Sequence, residues 1–233
     1  LLPLLLEAVE DAEVSDTERQ TLEILGDWNH AYDADAAGPT IFNRWQRTLL
    51  AMTWTDDITR DEITGRRPKR DTTLKLIQDD PTSPYFDDKE TEAVERFSDI
   101  ALTSFRAAVA SLVESHGEPG DAWRWGAVRT TRLNHLARIP GLSRTGLSTS
   151  GQYGVIRATT TSSGQSWRMV VALGEEPQAW GMYPGGQSGH PGSAHYDDFV
   201  DDWARGETAP LLFLSPPDED HERLAGSAVF RGR

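Results

Sequence analysis

Apolar residues recur at helical spacing through the first 150 residues. The longest such stretch runs from Thr91 to Gly117, preceded by Asp87 and Asp88 and closed by Gly117. Its apolar stripe consists of Val94, Phe97, Ala101, Phe105, Ala108 and Leu112. Residues 41–52 (IFNRWQRTLLAM) place Phe42, Trp45, Leu49 and Met52 on one face in the same way. Both patterns predict amphipathic helices whose stripes pack into a core.

The chain opens on the apolar segment LLPLLLEAVEDAE. Pro3 interrupts the apolar run, no basic region precedes it, and acidic residues follow within a few positions. These features are not those of a signal peptide and predict a helix. No run of eighteen apolar residues occurs, so the sequence predicts no membrane-spanning helix.

The period changes near residue 150. Residues 154–173 contain two runs rich in Val, Ile, Thr and Trp on either side of SSGQ, which predicts a hairpin with strands near 155–160 and 167–173. Residues 179–184 (AWGMYP) follow a polar turn and predict a third strand. We therefore predict an α+β protein, mainly helical over 1–150 and completed over 151–233 by strands, a glycine-rich turn and a C-terminal helix.

That last helix is predicted over HYDDFVDDWARG, with Ser193 as its N-cap and Gly206 as its stop. Four aromatic or apolar residues fall on one stripe, while the aspartates lie outside it: the stripe is Tyr196, Phe199, Val200 and Trp203. The aspartate run is thus explained as a solvated helix face.

Charge and composition narrow the classes of partner. The 37 acidic residues against 23 basic ones give a net charge of −14, which disfavours nucleic acid and anionic membranes. Cysteine is absent, so disulfides and thiolate metal sites are excluded. Lys69, Lys75 and Lys89 are the only lysines. An arginine bias suits a GC-rich genome or a salt-rich environment, and the acidic excess favours a halophile.

A serine between glycines, Ser188 in GGQSG, is the obvious candidate nucleophile. A nucleophile elbow requires G-x-S-x-G between a strand and a helix, but His190 occupies the last position, and Pro191 and Gly192 postpone the helix. His190 and His195 are not spaced as a one-turn metal pair with Asp198. We therefore expect structural roles for both histidines and no metal site.

The glycines of this segment suggest close backbone approach instead. Gly185, Gly186 and Gly189 allow the chain to leave a strand and pass near another segment. Gln187 and Ser188 are expected to hydrogen-bond to peptide groups in the turn.

Several motifs together resemble the penicillin acylase (penicillin amidase) family of N-terminal-nucleophile hydrolases, which includes acyl-homoserine-lactone acylases. They lie in the family's order from about residue 22 to residue 214, and the GGQSG…HYDD part is the most specific. The motifs are LGDWN with ADAAGPTIFNRW, SPYFDD, DAWRWG, SWRMVVALG and YPGGQSGHPGSAHYDDFVDDWARGETAPLLF.

The resemblance implies the C-terminal part of a β-subunit in a four-layered αββα sandwich. The family cleaves linear amides through an acyl-enzyme on an N-terminal serine exposed by self-cleavage, and that serine and the oxyanion asparagine are expected upstream of Leu1. No catalytic residue is then expected in this chain, which alone would be inactive. The alternative is a non-catalytic binding or interaction module derived from the same scaffold.

The resemblance also implies partners and a location. The expected partners are the remainder of the β-subunit, the α-subunit and a small acylated amide substrate, with no nucleic acid and no membrane. No cofactor is expected in this chain, and a calcium ion is allowed elsewhere in the full-length protein. The protein is expected to be exported, to the periplasm or beyond the cell.

Some positions depart from the family pattern. Arg129 stands where histidine often follows the DAWRWG motif, and Asn29 replaces an aspartate. Arg168 matches the common form of the family but differs from penicillin G acylases proper. A strand arginine of this kind needs carbonyls or a carboxylate as partners. Residues expected to support the active site or its scaffold are Arg168, Gln187, Ser188, His195, Tyr196 and Asp198.

Overall fold

The computed structural model describes residues 1–55, 68–212 and 228–232. The chain divides into two compact units, Leu1–Ser163 and Gly164–Arg233. The division after residue 150, which rests on the change of hydrophobic period, stays a prediction.

The first unit is mainly helical. Its α-helices are α1 (Leu2–Ala8), α2 (Asp16–Gly26), α3 (Gly38–Trp54), α4 (Arg70–Asp79), α5 (Phe97–His116) and α6 (Trp125–Val128). The predicted opening helix and the helix over 41–52 are confirmed as α1 and α3. A capping box between Ser15 and Glu18 starts α2, and Pro39 lies in the first turn of α3. Gly117, at φ 78°, follows the end of α5.

The core of this unit is the packing of α3 against α5. Trp45 is fully buried there, with its ring 4.8 Å from that of Phe105. Its indole Nε1–H donates to Ala101 O and Ser104 Oγ, each at 3.1 Å. A large apolar side chain is thereby buried without leaving its one polar atom unsatisfied.

A small antiparallel sheet completes the first unit. Strand β1 (Thr130–Leu133) pairs with β2 (Arg144–Ser148), and the register shifts between Thr131 and Leu133. The helical spacing before residue 150 did not indicate these strands. The buried hydroxyls of Thr131 and Thr149 lie 2.7 Å apart beside this sheet.

The second unit contains a three-stranded antiparallel sheet. Its strands are β3 (Arg168–Ala172), β4 (Gln178–Met182) and β5 (Ala209–Leu211), in the order β3, β4, β5. The helix α7 (Val200–Arg205) lies between β4 and β5 in the chain. A mainly helical first unit together with two antiparallel sheets confirms the predicted α+β class.

The predicted hairpin over 154–173 is wrong in its pairing. Residues 155–160 form no strand, and β3 pairs instead with β4, with Val170 opposite Trp180. The 151–160 segment is held as a loop because Gln152 N–H donates to Arg157 O and Thr160 N–H donates to Ser163 O. These short-range bonds use peptide groups that a hairpin would need.

Two helix starts were predicted too early. The helix α5 begins at Phe97 and not near Thr91, and Val94 is 82% exposed. The helix α7 begins at Val200, whereas residues 193–199 form turns. Ser193 Oγ accepts from His195 N–H at 3.1 Å, and Phe199 N–H donates to Gly185 O at 2.9 Å. A serine turn and a contact with the glycine segment thus replace the predicted first turns.

Within the described residues, no helix has the length and hydropathy to cross a membrane.

Candidate functional site

The glycine-rich segment of the second unit closes on itself through backbone hydrogen bonds. Ser188 N–H donates to His195 O at 2.9 Å, and Ser193 N–H donates to His190 O at 2.9 Å. The structure therefore brings Gln187, Ser188, His195, Tyr196 and Asp198 into one irregular turn between β4 and α7.

Gly186 is required at the closest approach within this turn. A Cβ atom there would lie 2.1 Å from His195 O and 2.6 Å from Asp198 Oδ1. Gly185 has a φ of 144°, which L-residues rarely adopt. The predicted close passage of the backbone is confirmed at Gly186, whereas a Cβ at Gly189 would meet open space.

The side chains of the turn serve its conformation. Ser188 Oγ accepts from His190 N–H at 3.1 Å, and His190 Nδ1 accepts from Gly192 N–H at 3.0 Å. His195 Nδ1 lies 2.9 Å from Asp198 Oδ2, with the His195 side chain 73% exposed. No hydrogen bond among the described residues joins the Ser188 hydroxyl to an imidazole nitrogen, so the Ser–His pairing that activates a serine nucleophile is not formed here.

Gln187 and Tyr196 are the other two predicted site residues in this turn. Gln187 is exposed, and Tyr196 is half-buried with its N–H donating to Ser193 O at 3.2 Å. A supporting role for either residue stays a prediction.

Arg168 ties the first residue of β3 to the end of α7. Its guanidinium donates to Glu207 O at 3.1 Å and to Trp203 O at 3.3 Å. The pairing with these two carbonyls matches what the sequence requires of a strand arginine. These carbonyls lie at the C-terminal end of α7, where a cation is favourable. Partial burial lowers the pKa of Arg168 below its usual value.

Trp203 joins the same assembly from the helix side. It is 1% exposed, and its Nε1–H donates to Gln165 O at 2.9 Å, just before β3. The side chain of Arg168 thus bonds to the end of α7, and the side chain of Trp203 bonds to the segment just before β3. Together they hold β3 against α7.

The first unit contains a cavity of about 840 Å³ that the sequence did not indicate. Arg44 and Arg47 of α3 line it, together with Arg129, and none of the described lining residues is acidic. Asn43 and Gln152 also line it, with Asn43 Nδ2 donating to Gln152 Oε1 at 3.1 Å. Three arginines of a chain with a net charge of −14 thus lie together in the described lining of this cavity.

Arg129 is fixed in the wall of this cavity. Its guanidinium carbon lies 4.8 Å from the centre of the Trp125 ring, and Nη1 donates to Gly151 O at 3.2 Å. A second bond runs from Nη2 to Thr159 O. Burial lowers the pKa of Arg129. This residue, which departs from the family pattern, thereby holds the 151–159 loop.

The signal for this site was present in the sequence of α3. Arg44 and Arg47 are three residues apart and have no acidic residue three or four positions away. Two arginines without helical ion-pair partners are unusual in so acidic a chain. Only the fold shows that Arg129 joins them.

A second cavity of the first unit, about 480 Å³, has the opposite character. It is lined by Asp27, Asp33 and Asp35 beside Trp28 and Asn29. The side chain of Asn29 accepts from Ala31 N–H at 2.9 Å. Over the part of the chain that the structure describes, no group of three acidic, histidine or cysteine residues is placed to hold a metal ion.

The fold is that of the penicillin acylases. The thermostable penicillin G acylase of Alcaligenes faecalis matches all of this chain and 46% of its own, with a TM-score of 0.62 at 13% sequence identity. The chain belongs to the penicillin amidase family, whose model matches residues 1–217. The family and fold predicted from the motifs are thereby confirmed.

Curated relatives agree with this assignment. Acyl-homoserine lactone acylase QuiP of Pseudomonas syringae pv. tomato is 29% identical over 188 residues, which are 74% of this chain and 21% of the relative. The QuiP enzyme of Pseudomonas putida is 28% identical over 140 residues, 55% of this chain and 17% of the relative. The chain spans about a fifth of the length of these relatives.

Proposed function

We propose that this chain is the C-terminal portion of an amidohydrolase β-subunit that cleaves a linear amide bond. The supporting comparisons are the penicillin amidase family model over residues 1–217 and relatives named as acylases. The observation within the chain that carries the proposal is the Ser188 turn, whose hydroxyl is bound to the His190 peptide and not to a base. The chain supplies scaffold, and the nucleophile lies outside it.

In the proposed reaction a serine outside this chain, at the N-terminus of the subunit, uses its own α-amino group as base. Its hydroxyl oxygen attacks the amide carbonyl, the C–N bond breaks, and the amine leaves with a proton. Water then cleaves the acyl ester, which releases the acid and restores the serine hydroxyl. The acid and amine of the substrate are set by residues beyond this chain, whether the amine is a β-lactam nucleus, a homoserine lactone or a lipopeptide.

The proposed partners are the remainder of the β-subunit and the α-subunit of the same precursor. Supporting this, β3 is an edge strand of its described sheet and carries exposed apolar residues, with Met169 55% and Val170 56% exposed. An apolar strand edge of this kind is costly to leave in water. Covering it with more of the same sandwich removes that cost.

Autoproteolytic maturation, export and adaptation to high salt are parts of the same proposal. Maturation and export rest on the family resemblance, and the salt adaptation rests on the net charge of −14 and the scarcity of lysine.

The test is turnover of chromogenic phenylacetyl and long-chain acyl amides by the complete protein. We expect Ser188→Ala to retain most of the turnover and the alanine variant of the N-terminal serine to lose it. Loss of turnover in Ser188→Ala would make this serine the nucleophile and overturn the proposal. If the complete protein cleaves none of these amides, the chain is better described as a non-catalytic module on the acylase scaffold.

A further inference from the structure

The arginine-lined cavity of the first unit has a composition that calls for an anionic ligand. Arg44, Arg47 and Arg129 line one cavity of about 840 Å³ that has no acidic residue among its described lining. Like charges gathered without counter-charges repel one another, so a bound anion would lower the free energy of the site.

The three guanidiniums differ in how many hydrogen bonds they already donate to protein groups. Arg129 is bound to the carbonyls of Gly151 and Thr159. Arg44 donates to Ser111 Oγ at 3.0 Å, which leaves other N–H donors of its guanidinium. Arg47 is exposed and has no hydrogen bond or ion pair among the described residues. Free donors therefore remain for a ligand.

A buried hydroxyl adds a second, independent indication. Thr40 lines the same cavity and is only 4% exposed, and its Oγ1 has no hydrogen-bond partner among the described residues. A buried polar atom left without a partner costs about 1–3 kcal/mol, so such atoms are rare unless a ligand or water completes them. This oxygen has almost no accessible surface of its own, so the threonine side chain must rotate about χ1 before a ligand oxygen in the cavity can supply the missing partner.

The rest of the lining is part polar and part apolar, and its polar members are Asn43, Thr48, Gln152 and Thr161. Leu50, Met52, Val128 and the ring of Trp125 line the cavity beside the arginines. A cavity of this volume lies in the range that holds small organic ligands, and apolar walls with a few polar groups favour a ligand of mixed character. A strongly hydrated dianion such as phosphate would gain nothing from these apolar side chains.

We infer that this cavity binds a small organic carboxylate with an apolar body. The carboxylate is held by Arg47 and Arg44 near Thr40, and the apolar body lies against Leu50, Met52 and Val128. This inference goes beyond the proposed function, because it uses no step of amide cleavage and its test measures binding.

The test is calorimetric titration of the complete protein with octanoate, octanamide, acetate and inorganic phosphate. The variants are Arg47→Gln and Thr40→Val, and the control is Arg19→Gln, which makes the same charge change at an exposed arginine of α2 outside the cavity. Thermal unfolding of each variant checks that it folds. Thr40→Val preserves shape and removes a hydroxyl that has no partner in the described structure, so its midpoint is expected to equal or exceed the wild-type value.

We expect octanoate to bind more tightly than acetate, octanamide or phosphate. Arg47→Gln is expected to weaken octanoate binding roughly tenfold, which is the loss of one charge-assisted hydrogen bond. Thr40→Val is expected to weaken it severalfold, and Arg19→Gln to leave it unchanged. Octanoate binding that is absent or unchanged in both cavity variants would overturn the inference. So would phosphate or acetate binding as tightly as octanoate.

Discussion

At the residue scale, the close approach of Gly186 to the His195 peptide predicts a sharp effect of one methyl group. In Gly186→Ala the new Cβ would meet backbone oxygen at 2.1 Å, which the turn can relieve only by shifting. We expect a loss of about 1–3 kcal/mol in the free energy of unfolding, from the overpacking of a rigid segment. Urea-induced unfolding of the complete protein measures it.

Gly189→Ala is the matched control for this prediction. The residue lies three positions further in the same turn, and a Cβ there would meet nothing within 4 Å. We expect Gly189→Ala to change the free energy of unfolding by no more than about 0.5 kcal/mol. Equal losses in the two variants would show that the turn responds to backbone entropy and not to the contact with His195.

The residue scale also shows what composition and motif can indicate. The glycines of GGQSG predicted a close backbone passage, because only glycine allows it. The cavity arginines were missed because a list of motifs searches for known spacings, and Arg44, Arg47 and Arg129 converge only in the fold. Thr40 gave no signal at all, since a threonine in a helix is ordinary until its hydroxyl is found buried without a partner in the described structure.

At the scale of elements, the attachment of β3 to α7 predicts the outcome of replacing Arg168. Arg168→Ala removes both bonds to the carbonyls of Trp203 and Glu207. We expect a loss of about 1–2 kcal/mol in the free energy of unfolding, since the bonds are charge-assisted but partly exposed to solvent. Arg132→Ala is the control, because Arg132 is an exposed strand arginine of β1. A loss of equal size in the control would remove the special role of Arg168.

Helices were predicted correctly where one apolar stripe determines them. Helix starts and strands were predicted poorly where local hydrogen bonds form a turn instead. The stripe that includes Trp45 and Leu49 identified α3, because burying one face requires helical spacing. Val155 and Ile156 have strand-forming side chains, but the hydrogen bonds of the surrounding loop determine their conformation. The start of α7 was misplaced because Ser193 forms a turn with His195 in place of a helix cap.

At the scale of the molecule, the apolar edge of β3 predicts self-association of the chain in isolation. Val170 is 56% exposed on that edge strand, and Val170→Lys places a charge there. Charged residues on an edge strand oppose pairing with other strands. We expect sedimentation velocity to show association of the wild-type chain and a larger monomer fraction in Val170→Lys.

Val94→Lys is the control for association, because Val94 is 82% exposed but lies in the segment before α5. We expect it to associate like the wild type. A dispersed wild-type monomer at physiological or high salt would count against the proposed partners and favour the independent module.

Maturation of the full-length precursor is also expected to depend on Arg168. If Arg168 supports self-cleavage through the position of β3, Arg168→Ala should accumulate uncleaved precursor on a denaturing gel, while Ser188→Ala should mature as the wild type does. Normal processing of Arg168→Ala would show that this arginine joins β3 to α7 but has no role in self-cleavage.

The family was predictable from sequence because its motifs are the residues that fix turns and helix ends in a set order. The activity was not, because the chain covers only about a fifth of the length of its curated relatives. We propose that this chain is mostly scaffold, whose residues are constrained by packing and by peptide hydrogen bonds.

Reagents that label amines would not modify the basic residues of the large cavity, because the basic residues of its described lining are arginines. Lys69, Lys75 and Lys89 all lie outside its lining, whereas every basic residue in the described part of the lining is an arginine. Arginine stays protonated at pH values where succinimidyl esters react with amines. Dyes, crosslinkers and resins that react with the lysines of this chain would therefore attach in the α4 region and near Lys89, and they would leave the cations of the cavity unmodified.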